Sequence, residues 1–209
     1  MRASPKLVLP YQEPHKPAKE RIASAAELLF LHYGANVSLR QIAHFAGTQV
    51  TVVVKYYGSL ERLLSDFVKS LCKQMDESWQ EAERSHPDDL EAQLRQWIWY
   101  VEIQSDDFQS PHWQLGRLAA QLAHPLKPPL ALDIDHYRQA ERRKIANKCT
   151  QAKFRDPVDL ADKIILLIEG ARNERESYGF RGPLHKLSLA ADDLMVAHGA
   201  VRKPPFDPD

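Results

Sequence analysis

A chain of 209 residues has room for one large domain, or for a small domain beside a larger one. Its 44% hydrophobic and 27% charged residues suit a globular protein with a core, and 28 basic against 28 acidic residues mean that the whole chain is no polycation. No run of about 18 apolar residues is present, so no membrane span is expected. The opening MRASPKLVLPYQEPHKP is broken by prolines and lacks the apolar stretch of a signal peptide, so a cytoplasmic location is expected. Cys72 and Cys149 lie far apart and form no CxxC motif, and they read as reduced thiols.

Pro5, Pro10, Pro14 and Pro17 make residues 1–17 a loose arm, either a plain leader or a basic strand reaching a DNA minor groove. From Ala18 the apolar positions Ile22, Ala26, Leu29, Phe30 and Tyr33 recur at helical spacing until Gly34. Ser38 and Gln41 form an S-x-x-Q capping box that opens a second, two-turn helix ending at Gly47. A third short helix is expected over about 49–56. Its run Val50-Thr51-Val52-Val53-Val54 favours a strand locally, so packing from neighbouring helices must override that preference. A fourth helix is predicted over about 60–84 and a fifth over about 88–104. A sixth opens at Ser110-Pro111, with Ser110 as cap, and runs to about His124. A seventh spans about 130–153, an eighth runs from Asp156-Pro157 to about Tyr178, and a ninth covers about 184–198 before a frayed tail at 201–209. The fold class is therefore all-α, with about nine helices and no strand. The organisation is an arm (1–17), a small domain (18–64) and a larger helical domain (65–200).

Residues 1–64 carry eight lysines and arginines against four carboxylates, so this third is at +4 and the remainder at −4. A basic first third on a neutral chain fits a modest DNA-binding module. The two short helices joined at Ala46-Gly47-Thr48 have helix-turn-helix spacing, and the second of such a pair can enter the major groove. The stretch Lys19–Leu64 resembles the DNA-binding domain of the tetracycline-repressor (TetR) family. The matching residues are Ala25-Ala26, Leu29-Phe30, Gly34, Ser38, Ile42-Ala43, Ala46-Gly47, Tyr56-Tyr57, Ser59, Glu61 and Leu63-Leu64, in order and without gaps. The chain departs from that family where it has Thr51 for a small residue, Val54 for tyrosine and Leu60 for lysine. The last two losses remove common phosphate contacts and should weaken DNA binding. The resemblance implies a ligand-released repressor that binds an operator in double-stranded DNA as a homodimer. By position, the DNA-contacting candidates are Ser38, Arg40, Thr48, Gln49, Val50, Thr51, Lys55 and Tyr56. Gln49 suits an adenine and Val50 or Thr51 a thymine methyl, while Ser38, Arg40, Lys55 and Tyr56 suit phosphates. Each of these side chains is equally readable as a solvated or core residue.

The resemblance also implies a dimer through the last two helices. The run Ile164-Ile165-Leu166-Leu167-Ile168 is apolar nearly all round, so this helix must bury more than one face. Ile164, Leu167, Ile168, Leu187, Leu194 and Met195 are the interface candidates, with burial inside the chain as the alternative. A small-molecule effector of unknown identity is expected among the middle helices, where Trp97, Tyr100, Phe108, Trp113 and Tyr137 are candidate walls, with ordinary core filling as the other reading; Glu169 and Arg172 read either as polar handles near the pocket or interface or as surface charges. The cluster Asp133-x-Asp135-His136 reads either as metal ligands or as acids near a helix start. No phosphate loop, HExxH or GxSxG motif is present, so no enzyme, cofactor or metal is expected. A helical carrier or interaction protein that has lost DNA binding stays open, because of Val54 and Leu60.

Overall fold

The computed structural model describes residues 16–104, 109–122, 128–178 and 183–202. The expected arm before Lys16, Phe108, the turn over 179–182 and the tail after Arg202 lie outside the described residues. All described regular elements are helices: α1 Ala18–Tyr33, α2 Leu39–Phe45, α3 Val50–Tyr57, α4 Leu60–Ser85, α5 Leu90–Gln104, α6 Pro111–Leu122, α7 Pro128–Gln151, α8 Pro157–Tyr178 and α9 Leu187–Ala197. The chain divides into two compact units between Phe67 and Val68, within α4.

Unit 1 packs α1, α2 and α3 on one another and takes in the start of α4. Ile22, Leu29, Phe30, Ile42 and Val53 form its core, and the Phe30 and Phe67 rings lie 5.4 Å apart. The valine-rich segment is a helix despite its β-branched side chains, because Val53 is fully enclosed by this core. At the start of α2 the Gln41 N–H donates to Ser38 Oγ, and Gln41 Oε1 accepts the Ser38 N–H at 2.8 Å, which completes the capping box. Replacing Ser38 by alanine is expected to lower stability by about 1 kcal/mol. Urea unfolding read by circular dichroism checks this, and an unchanged midpoint would mean the box contributes nothing. The turn after α2 is a Schellman closure. The Gly47 N–H donates to His44 O at 3.2 Å and the Thr48 N–H to Ala43 O at 2.9 Å, and Gly47 takes φ 60°.

Unit 2 is built around α5, in which every residue from Ala92 to Ile98 is buried. Two of its polar members, Arg95 and Gln93, are held by neighbouring elements. Arg95 donates to Asp192 at 2.8 Å and to the Val201 carbonyl at 2.9 Å, while Gln93 accepts from Lys148 at 2.6 Å. Trp79 of α4 stacks on Trp97 of α5, with ring centroids 4.1 Å apart and planes 13° from parallel. Lys144 and Lys148 lie over the Trp79 ring. Leu160, Ile164 and Ile168 of α8 with Leu187, Ala191 and Met195 of α9 complete this core.

Several boundaries differ from expectation for local reasons. α5 begins at Leu90, because Asp89 accepts from the Ala92 N–H at 2.9 Å and sets the cap there. Ser110 does not cap α6: its hydroxyl is buried without a hydrogen-bond partner among the described residues, and Pro111 marks the start. The ninth helical segment is split into a 3₁₀ turn, Pro183–Lys186, and α9 proper.

Candidate DNA-reading face and buried polar centre

In unit 1, α3 is held at both ends. The Schellman bonds fix its entry, and Tyr57 Oη donates to Lys19 O at 2.9 Å, tying its last turn to the start of α1. Burial, then the carboxylate of Asp66, raises the Tyr57 phenol above its ordinary value, so it stays a donor. Arg21 ties α1 to the end of α2 by donating from Nε to Ala46 O at 3.0 Å. A helix fastened this way presents a fixed outer surface, which base reading requires.

That surface carries most of the expected residues. Gln49, Thr51, Lys55 and Tyr56 are exposed, and so is Arg40 on α2. Thr48 and Val50 are half-buried. Thr51 Oγ1 lies 3.5 Å from Gln49 Oε1. Val54 is 43% exposed, so an apolar side chain stands on the outer face. Ser38 is exposed but committed: its hydroxyl accepts from the Gln41 N–H and donates to Gln41 Oε1 at 2.8 Å. A phosphate contact from Ser38 would compete with the cap, which leaves Arg40, Lys55 and Tyr56 as the better phosphate candidates.

In unit 2 one of the expected aromatic walls, Trp97, is core, and the other described ones are half-buried. Trp97 is fully buried against Trp79, and the His112 ring meets it edge-on with centroids 6.2 Å apart. Tyr100 and Trp113 are half-buried; Tyr100 accepts from Gln96 Nε2 at 3.0 Å, and Arg117 sits 4.7 Å above the Trp113 ring. Tyr137 is half-buried, and burial with the Glu141 carboxylate raises its phenol strongly. The Cys72 thiol is pushed up to about 12 by burial and then by Asp76, so it is an inert thiol.

A polar centre lies where α6 packs on α7 and α8. Arg172 of α8 runs its aliphatic stem past Gly116 of α6. Its guanidinium donates from Nη1 to Glu169 Oε1 at 2.6 Å, and its Nη2 lies 3.0 Å from His112 Nδ1. Arg138 of α7 donates to the other Glu169 oxygen at 3.0 Å. Glu141 of α7 has a side chain only 2% exposed and lies 3.9 Å from Arg172, beyond hydrogen-bond reach. An arginine cannot accept a proton, so His112 Nδ1 must be the acceptor and its proton sits on Nε2. Burial, then Arg172, holds the His112 imidazole well below its usual value, so the ring is neutral. Burial raises the Glu141 carboxyl, against the lowering effect of Arg172. Glu169 and Arg172 were read as polar handles or as surface charges, and the structure places Arg172 in the interior and Glu169 half-buried. His112, Arg138 and Glu141 were not singled out, although Arg138/Glu141 and Glu169/Arg172 share an i, i+3 spacing that puts each pair on one helix face.

The residues expected at a dimer interface are divided by the structure. Ile164, Ile168, Leu187 and Met195 are buried in the unit's own core, so they are not the surface a partner meets. Leu167 and Leu194 are half-buried, while Leu166 (72% exposed) and Leu189 (48%) face outward. Thus α8 is apolar all round because one face fills the core while Leu166 projects from another. The Asp133, Asp135 and His136 cluster sits inside α7; among the described residues no group of three or more candidate ligands stands ready for a metal ion. No described helix is long and apolar enough to cross a membrane.

No protein-family model and no curated protein matches the sequence. Solved structures do. A TetR-family transcriptional regulator from Streptomyces coelicolor superimposes with a TM-score of 0.74 at 14% identity, covering 88% of this chain and 96% of that one. A TetR-family regulator from Agrobacterium tumefaciens gives 0.72 at 17% identity, covering 88% and 98%. A candidate transcriptional regulator from Saccharomonospora viridis, in complex with choline, gives 0.68 at 18% identity over 89% and 98%. The chain therefore has the TetR-family fold, all-α as expected.

Proposed function

We propose, from the premise of a TetR-family fold, that the chain is a sequence-specific DNA-binding regulator and not an enzyme. It acts as a cytoplasmic homodimeric repressor, released from its operator by a small molecule held in unit 2. The observation that carries this reading is the anchored α3, with Gln49, Thr51, Lys55 and Tyr56 exposed along it. Gln49 and Thr51 at its start supply base-reading groups, while Lys55 and Arg40 supply charge for phosphates. Two such helices in a dimer reach half-sites roughly 34–36 Å apart. Leu166 and Leu189 would be covered by the partner copy. The solved neighbour that carries choline supports a small organic effector as the ligand class. Such an effector acts by preferring the spacing of the reading heads that does not fit DNA.

Selection of bound duplexes from random sequence, followed by gel shift, tests the reading. Lys55→Ala is expected to weaken binding about equally for all duplexes and to reduce the slope of log affinity against log salt by about 1. A protein that selects no duplex is instead the helical carrier that Val54, exposed where the family has tyrosine, also fits.

A further inference from the structure

Among the described residues, most of the unmatched polar atoms in the buried centre of unit 2 are N–H groups. Arg172 Nε, Arg138 Nε and His112 Nε2 are buried and have no hydrogen-bond partner among the described residues. The tautomer fixed by Arg172 makes His112 Nε2 a donor, so all three orphans are N–H groups. The two guanidinium groups share one carboxylate, Glu169, with one oxygen each at 2.6 and 3.0 Å. Glu141, the second carboxyl beside Arg172, hydrogen-bonds to neither arginine, and its Oε1 is itself without a partner. The unmatched groups are therefore three N–H donors against one carboxyl oxygen, in a place where unpaired donors are costly.

We propose that this centre is a carboxylate site, and that Glu169 of the chain itself occupies the place where the carboxylate of a small organic effector binds between Arg138 and Arg172. The inference rests on the effector-gated reading above and adds the ligand's chemistry to it. Glu169 is the member able to leave: its side chain is 30% exposed, whereas those of Arg172 and Glu141 are 4% and 2% exposed. It already displays the geometry an entering carboxylate needs, with one oxygen to each guanidinium. An incoming carboxylate, free of the tether that holds Glu169 to α8, can also turn its lone pairs towards the orphan N–H groups. An ammonium group brings only donors and meets two fixed cations. Inorganic phosphate has the right sign but a heavier desolvation cost in a buried site.

The test is chemical rescue on the full chain. Glu169→Ala leaves Arg172 without its closest anion and is expected to lower the melting midpoint. Hexanoate at millimolar concentration is expected to restore that midpoint, while 1-hexanol, hexylammonium and inorganic phosphate do not. Calorimetry is expected to give hexanoate binding roughly tenfold tighter to Glu169→Ala than to the unaltered chain, the worth of one charge-assisted contact released from competition. Arg138→Gln, at a half-exposed position that does not threaten folding, is expected to weaken hexanoate several-fold. Equal rescue by hexanol would overturn the proposal in favour of a purely apolar pocket. Rescue by hexylammonium would overturn it in favour of Glu141 as the recognising group. Hexanoate binding that is unchanged by Glu169→Ala, or absent from both proteins, overturns it outright. Duplex selection separates the two readings: a chain that selects DNA but ignores carboxylates loses only this inference.

Discussion

Replacing Trp97 by alanine is expected to destabilise the protein by about 3–5 kcal/mol, the range for a fully buried aromatic side chain. Trp97 is enclosed on all sides. It stacks on Trp79 at 4.1 Å, meets His112 edge-on and belongs to the same cluster as Ile98, Ile145, Leu160 and Ile164. Alanine would remove the centre of that cluster, and neighbours from five helices cannot all collapse into the gap. Trp97→Phe separates packing from polarity. It keeps an aromatic ring for the stack and deletes an indole N–H that has no acceptor, so its loss should be clearly smaller. Urea unfolding monitored by circular dichroism gives both values. A Trp97→Ala loss below about 1 kcal/mol would mean that Trp97 lines an open cavity, since such a side chain leaves little behind when truncated.

The distinction between wall and core was the part of the site least legible in the sequence. Trp97, Tyr100, Trp113 and Tyr137 were grouped by chemistry and nearness along the chain, but burial depends on which helices pack around each one. Helix starts at Pro111 and Pro157 and the capping box at Ser38 were readable because each is a local device, complete within four residues. The valine run of α3 was readable only through its neighbours: Gly47 and the capping box frame a segment whose own propensity points to a strand. Ser110 misled because a serine before Pro-initiated helices is a common cap, yet its hydroxyl here points into a buried place with no donor to accept from. The run Ile164–Ile168 has no polar gap, so its sequence carries no phase. Only packing decides that Ile164 and Ile168 go inward while Leu166 goes outward. The polar centre joins residues from α6, α7 and α8 that lie 31 and 60 positions apart, and no single window contains it.

Arg172→Met is expected to lower stability by about 3–5 kcal/mol at neutral pH, the cost of removing one member of a buried charged network. Methionine has similar length and can follow the stem past Gly116, so the loss reports the guanidinium and not a void. Without it Glu169 loses its 2.6 Å contact, His112 Nδ1 loses its donor, and Glu141 loses the one nearby charge at 3.9 Å that most favours its ionised form. The sign of the pH dependence follows from Glu141. Its folded-state pKa is raised by burial, so the favourable neutral form is fully present below the ordinary carboxylate range, and stability is lost as pH rises through the raised value. Arg172 opposes that rise, so removing it should make the penalty grow with pH. The Arg172→Met loss is therefore larger at pH 8 than at pH 5 in urea titrations. Adding Glu141→Leu removes the stranded carboxyl, and the double variant should recover part of the loss and flatten its pH dependence. A loss that is the same at both pH values, or a double variant no more stable than Arg172→Met, would show that Glu141 does not feel Arg172 and that the centre is not one coupled network.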